Sequence, residues 1–586
     1  MKGKKILPQI AYILFVGLGF LFAFFCQSVY VLNTRGNILW TALFLLKIMG
    51  SSLLFGGGAG ALLCFLIYRR PDRQRKEEQS FAVPMPSAGV VFAGAFLLIV
   101  LSWLPAYLAY YPAICAYDMP IQTGQIVSGN YNDHHPIAHT LLIQGAMAVG
   151  EKVFGDVNTG IGLYGFLQLL FLAGAFAWGI AMVCRCGTRS AQQTGQTTQK
   201  GEKRQYRSLG ALLPPILLLL YAMLFPFHMY MSVSVTKDTV FTGFAVLQIT
   251  ALCVILHRGD NCLRISGQDI LLIFSTIGMI LFRNNGKYAM LVLLGVLLLT
   301  VIFGRKKRKL WGRLLSVCGV GFLVGNLLLS ALFAATKAEQ GDRREMLSMP
   351  IQQLARCMVY HGGAGVLPED DNTISEEDKA LIRDFILDEA YREYHPGISD
   401  PVKRHANTYV VRYRLKDFSD TYFRLFAEYP GDFVNAALAV NAGWLSPFDE
   451  THAVINQPEG QKGLGYVQTR WVEEELNPRG IYQDSKWEWL HEKMERWADN
   501  NSYLEIPVLK YIFVPGTWLW LGLLLAAYLL VHRRFGRCIP LALLAGYYGT
   551  LFLGPAVQLR YLYPVMAALP FAAVLSMQSG AERKGY

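Results

Sequence analysis

Between two long apolar runs the chain reads YDMPIQTGQIVSGNYNDHHPIAH, residues 117–139, which brings Asp118, Asp133, His134, His135 and His139 into one short segment. Carboxylates and imidazoles accept protons, and both can ligate metals. Ionisable groups beside membrane spans are costly to keep, so such a cluster points first to function. Further polar motifs sit at the edges of other apolar runs. Thr236-Lys237-Asp238, Arg283-Asn284-Asn285-Gly286-Lys287, Gln352-Gln353 with Arg356, and Gln558 with Arg560-Tyr561 are the main ones. A carboxylate ringed by cations suits group transfer from a phosphate-bearing donor. A base takes the proton of an acceptor hydroxyl, and Lys and Arg hold the departing phosphate. On this reading Asp118 is the first candidate base and Asp133 the second. Lys237, Asp238, Arg283, Asn284, Asn285, Gln353, Arg356, Arg560, Tyr561 and His135 are candidate substrate contacts.

The elements that position these groups follow from composition. The chain has 586 residues, 53% hydrophobic and 16% charged, with a mean hydropathy of +0.31. A soluble chain carries about a quarter charged residues. Apolar runs near 10–32, 38–68, 89–111, 160–183, 209–230, 239–256, 270–282, 288–304, 313–335, 511–531, 539–555 and 562–578 approach or exceed the ~18 residues of a membrane helix. The fold class is therefore mainly α: a polytopic membrane protein of about twelve transmembrane helices. Lys2, Lys4 and Lys5 precede a first apolar run that is long for a signal peptide, so it reads as a retained span.

The net charge of +12 lies in short clusters between runs: Arg69–Lys76, Lys200–Arg207, Arg305–Lys309 and Arg533–Arg537. That is a topology signal and argues against nucleic-acid binding. It puts both termini in the cytoplasm of a multi-pass cell-membrane protein, and every polar motif above on the outer face. Residues 1–80 form a two-helix hairpin and 81–336 a transmembrane core with a first outer loop at 112–159. Residues 337–510 form an extracytoplasmic domain, and 511–586 the last spans. The segment Pro136–Phe154 is apolar, but counting it as a span would move Arg305–Lys309 outside. It reads instead as an interfacial or re-entrant helix. Within the outer domain, Ser375 caps a helix running to Tyr394. Thr188–Gln205 reads as a polar, flexible cytoplasmic loop. Cys184 and Cys186 form an isolated CxC, weak as a zinc signal, and the ten cysteines form no disulfide framework.

Each candidate also has a plainer role. Asp118 suits a helix cap and Asp133 an Asx turn. Lys237 and Asp238 can neutralise one another, and Arg283, Arg356 and Arg560 can snorkel to headgroups. His135 and His139, at i and i+4, form a metal pair only if a third ligand joins them. The tryptophans Trp444, Trp471, Trp487, Trp489 and Trp497 suit a domain core or an interfacial belt better than a sugar platform.

The order of an outer loop with an early acid (Asp118), the stretch Gln122–Gly129 and the element Asp133-His134-His135-Pro136 resembles the first outer loop of the GT-C superfamily of polytopic glycosyltransferases. VTKDTVF (235–241), FRNNGKY (282–288), SMPIQQLAR (348–356) and RYLYP (560–564) further resemble an uncharacterised bacterial membrane-protein family grouped with it. The resemblance implies an inverting glycosyltransferase using a polyprenyl-phosphate-linked sugar donor at the outer face. Asp118 would be its base, the outer-loop cations would contact the phosphate, and the acceptor would be a glycan, lipid or protein. It fixes no cofactor and leaves room for a divalent metal. The chain departs from the pattern in three ways: Met119 stands where relatives carry a second acid, two extra spans precede the core, and the outer domain lies before the last spans. A polysaccharide polymerase or ligase, and a transporter or lipid flippase, are the competing readings.

Overall fold

The computed structural model describes residues 3–69, 82–84, 86–115, 118–186, 206–208, 212–259, 265–304, 307–341, 347–363, 365, 371–449 and 479–578. The polar loop 188–205, most of the basic clusters at 69–76, 200–207 and 305–309, and Trp471 lie outside them. Helices dominate. In chain order they are α1 (Gly3–Arg35), α2 (Ala42–Ser51), α3 (Gly58–Arg69), α4 (Ala88–Ala109), α5 (Asp118–Ser128), α6 (Ile137–Val149), α7 (Val157–Cys186), α8 (Leu213–Leu224), α9 (Pro226–Val233), α10 (Lys237–Arg258), α11 (Gly267–Phe282), α12 (Asn284–Phe303) and α13 (Arg308–Thr336). The outer segment adds α14 (Ser348–His361), α15 (Glu376–Phe385), α16 (Glu389–Arg392), α17 (Asp400–Arg404), α18 (Thr408–Tyr413), α19 (Leu415–Glu428), α20 (Pro430–Leu445) and α21 (Glu488–Asp499). After α22 (Leu509–Ile512) come α23 (Pro515–Val531), α24 (Ile539–Leu551) and α25 (Leu559–Met577). Two short strands, β1 (Ala82–Pro84) and β2 (Tyr206–Ser208), pair antiparallel.

Among the described residues, eight helices are long and apolar enough to cross a membrane, or nine if the bent pair α8–α9 counts as one. The other predicted runs fall on the shorter helices α11, α23 and α24. α10 is apolar on every side and correspondingly buried, packed by α7, α11 and α25. α1 meets the α2–α3 rod through glycine: a Cβ on Gly19 would lie 2.0 Å from the carbonyl oxygen of Gly56. Only small residues allow so close a backbone approach.

The loops meet in two groups, one at each end of the bundle. At one end Ile114 bridges to Ser234, Asn132 to Glu339 and Ile398 to Ala556, and Asn33 at the end of α1 donates to Asp449 at 2.9 Å. At the other end Arg313 donates to Ser266 at 3.1 Å, Arg534 to the Met577 carbonyl at 2.8 Å, and Gln578 to that of Val183 at 3.2 Å. Ala11, Cys64 and Val531 share one apolar cluster. The start of α1 and the end of α25 thus lie at the same, arginine-rich end. The polar motifs all lie at the opposite end.

α6 crosses α7 obliquely. His139 near its start meets Tyr164, and Gly150 just past its end meets Gly160. These contacts are about 16 Å apart along α6 but only about 6 Å apart along α7, at ~1.5 Å per residue. Both ends of α6 stay at the polar-motif end, where Glu151 pairs with Arg479 at 2.9 Å and the Asn158 side chain accepts from Tyr482 N–H at 3.1 Å.

The segment expected as one outer domain divides. Helices α14–α20 enclose their own core of Ile351, Leu354, Phe385, Phe418 and Phe433. Residues 479–510 instead pack on the transmembrane bundle, where Trp497 lies parallel to Tyr230 with ring centres 6.3 Å apart. Burying Trp497 and Tyr503 against Phe513 outweighs adjacency in sequence. Trp444 is buried, whereas Trp487 and Trp489 are exposed. Ser375 caps α15 as expected, accepting from Asp378 N–H at 3.1 Å. That helix stops at Phe385, because Ile386 is extended and bridges to Ala406.

Candidate anion-binding active site

Four helices begin at one spot. α5 opens with Asp118, α10 with Lys237 and Asp238, α12 directly after Arg283, and α25 with Leu559 and Arg560. Asp118 and Asp238 are where local preference puts acids, in the first turn, facing the positive end of the helix dipole. Lys237, Arg283 and Arg560 are where it disfavours cations. A local rule broken three times at one point is expected of a functional site.

The five side chains form one cluster. Asp118 Oδ2 accepts from Lys237 Nζ at 2.5 Å and lies 3.2 Å from Arg560 Nη1. Arg283 donates to Asp238 Oδ1, and Arg560 Nη1 is 4.0 Å from Asp238 Oδ2. Arg560 Nε also donates to Gln558 Oε1 at 3.0 Å. Both guanidiniums lie over the ring of Tyr561, at 4.8 Å for Arg283 and 5.0 Å for Arg560, and Arg283 also sits 5.6 Å from the Tyr547 ring. These rings fix the arginines in place by cation–π attraction. Tyr547 lies inside an apolar run and carries no sequence signal of this role.

Among the described residues the cluster is not electrically balanced: three cations face two carboxylates, and Asp118, Asp238, Arg283 and Arg560 are all buried. Buried charge is costly unless compensated. One excess positive charge, ringed by four helix N-termini, is an arrangement for an anion with a phosphate's charge and oxygen-rich surface.

His135 completes the wall. Lys237 Nζ donates to His135 Nδ1 at 3.1 Å, which leaves the ring proton on Nε2. That Nε2 is buried and has no hydrogen-bond partner among the described residues. Burial, then the charge of Lys237, holds the imidazole well below its usual range, so it is neutral at pH 7. Burial alone would raise the Asp118 carboxyl, but the charges of Arg560 and Lys237 outweigh it and hold the group well below the ordinary carboxylate range. Asp118 is thus ionised and heavily engaged.

The remaining candidates lie elsewhere or play other parts. Asp133 fastens its loop, accepting from Gly341 N–H and donating its own N–H to the Glu339 carbonyl at 3.2 Å. Asn285 ties α12 to α24 through Thr550 at 2.8 Å, and Asn284 is exposed. Gln353 and Arg356 are not brought to the cluster. Gln353 bonds the Phe433 carbonyl at 3.0 Å and Tyr422 at 2.7 Å. Arg356 bonds Asp432 at 3.1 Å and Asn37 at 2.9 Å. Their positions at the start of α14 resembled the other motifs, but the helix turns them into the core of the α14–α20 unit and its seam with α1. His139 is no partner for His135 in metal binding, because its ring nitrogens meet Gln122 at 3.0 Å and Tyr164 at 2.9 Å. Burial pushes it down to about 3. Among the described residues, no group of three or more His, Cys, Asp or Glu side chains is placed to hold a metal ion.

No curated protein and no solved structure is similar to the chain. A family model described as a family of unknown function, DUF6020, matches residues 127–585. The match takes in Lys237, Asp238, Arg283 and Arg560 and begins just after Asp118. The chain therefore belongs to the DUF6020 family.

Proposed function

We propose that this protein is a membrane glycosyltransferase that moves a sugar from a polyprenyl-phosphate-linked donor to an acceptor hydroxyl at the outer face. In this reading the chain crosses the membrane twelve times: the eight long helices, the bent α8–α9 pair, α11, α23 and α24. It has a GT-C-like arrangement, with the arginine-rich end in the cytoplasm. The observation that carries the reading is the buried convergence of Asp118, Asp238, Lys237, Arg283 and Arg560, with one more cation than carboxylate among the described residues, at the end where the α14–α20 unit lies.

The donor's phosphate draws Arg560, Lys237 and Arg283 toward its oxygens, and His135 Nε2–H points its proton to the same ligand. Asp118, relieved of its cations, rises toward the ordinary carboxylate range and becomes the stronger base. The acceptor oxygen attacks the anomeric carbon, and its proton passes to Asp118. The bond from that carbon to the phosphate oxygen breaks, and the electron pair leaves on the lipid phosphate, held by the cations. One step of this kind inverts the anomeric configuration.

The test is comparison of lipid-linked glycans by mass spectrometry in the parent, a deletion strain, and strains carrying the wild-type gene or Asp118→Asn. The deletion should accumulate a lipid-linked sugar that the wild-type gene clears. Asp118→Asn, expressed to the same level, should clear less than about one-hundredth as much, the lower range of a general base's contribution. Full activity of Asp118→Asn would remove Asp118 as base. Movement of lipid across proteoliposomes without covalent transfer would replace the whole reading with a flippase.

A further inference from the structure

At the opposite end of the bundle a cavity of about 590 Å³ opens between the α4–α7 pair and the α10–α11 pair. Its size is within the ~300–1,000 Å³ of sites that enclose a small ligand. Its wall is apolar: Phe92, Leu170, Phe171 and Leu271 contribute to it, and Gly174 leaves the α7 side open, since a Cβ there would meet nothing nearer than Phe96 at 4.0 Å. Its mouth is cationic. Arg185, in the last turn of α7, and Arg258, ending α10, both line it, and none of its described lining residues is acidic. Two further lining residues carry buried polar atoms without partners among the described residues, Trp178 Nε1 and Gln268 Oε1.

The dimensions select a ligand. From Arg185 to Phe171 the lining follows α7 for about 21 Å at ~1.5 Å per residue. Half of a bilayer, headgroups included, is about 20–22 Å thick. The groove is thus one leaflet deep, charged at the headgroup level and apolar below it. Basic pockets between membrane helices are the expected form of an anionic-lipid site.

We infer that this groove binds one anionic phospholipid of the leaflet at the arginine-rich end, its phosphate between Arg185 and Arg258 and one acyl chain along Phe171, Gly174 and Trp178. The site stands apart from the Asp118 cluster and does not depend on the reaction proposed there. The Gln268 carbonyl suits a glycerol hydroxyl, and the Trp178 N–H, about 10 Å along α7 from Arg185, suits the ester oxygen that heads the acyl chain.

The experiment uses the full chain in phosphatidylcholine vesicles containing a minor fraction of brominated phosphatidylglycerol or, in parallel, the same fraction of brominated phosphatidylcholine. Bromine quenches tryptophan on contact. Brominated phosphatidylglycerol should quench more than brominated phosphatidylcholine, and Trp178→Phe should remove the excess. Arg185→Gln with Arg258→Gln should also abolish it, and Gly174→Leu should do so with both arginines intact by filling the groove. Size-exclusion elution identical to the wild type shows that each variant is folded. Equal quenching by the two lipids would mean an unselective lipid annulus and would overturn the inference. So would an excess that survives the arginine pair or Trp178→Phe.

Discussion

Replacing Asp238 with Asn leaves the shape of the cluster almost unchanged and removes one of its two carboxylates. Asp238 is fully buried, accepts from Arg283, receives the Thr236 hydroxyl at 3.3 Å and lies 4.0 Å from Arg560. With Asn there, three cations face Asp118 alone. Breaking a buried pair from one side costs about 3–5 kcal/mol, because the partner charge stays behind uncompensated. Asp238→Asn should therefore lose about that much stability in a denaturant titration in detergent micelles. The same change should make the cluster a stronger anion site. Pyrophosphate at ~100 times its dissociation constant stabilises a protein by about 2.7 kcal/mol. Asp238→Asn should bind it at least about tenfold more tightly, a gain of about 1.4 kcal/mol. Arg283→Gln added to Asp238→Asn restores the original charge difference, and should recover much of the stability and lose the gained affinity. A variant as stable as wild type, with unchanged pyrophosphate affinity, would refute the argument that the cluster is held by charge balance and built for an anion.

In the α14–α20 unit, His361 sits between Asp432, at 3.0 Å from Nε2, and Asp371, at 3.1 Å from Nδ1. The bond to Asp432 leads in raising its affinity for a proton against burial. The stability it adds, about 2 kcal/mol for charged hydrogen bonds, is full below the unfolded value near ~6.5 and is lost as pH rises through the higher folded one. Thermal unfolding of His361→Gln should lack that decline. Membrane orientation is tested by single cysteines replacing Arg189 and Lys307: neither should react with an impermeant thiol reagent added to intact cells. Labelling of both would invert the topology and put the Asp118 cluster on the cytoplasmic face.

The chain declared its class by itself. Apolar runs set the helices, because a backbone in lipid must satisfy its own hydrogen bonds, and each predicted run falls on a helix or a bent or broken rod. The motifs at 118, 235–241, 282–288 and 560–564 were legible because ionisable groups at span edges need a reason. Whether they meet was a tertiary matter. Asp118 and Arg560 are separated by about three-quarters of the chain, and only the packing of α10 against α25 and the bridge of Ile114 to Ser234 bring their helix starts together. The same packing decided against Gln353 and Arg356. Their motif has the same look, but α14 is amphipathic and buries its inner face within its own unit, so burial rather than residue type set their role. The division of 337–510 and the seat of Tyr547 were likewise illegible, since apolar residues pack wherever a surface is offered and carry no address in sequence. Residue types alone determined that a costly set of charges exists. Tertiary structure decided which of them share one dry site, where among the described residues cations outnumber carboxylates by one.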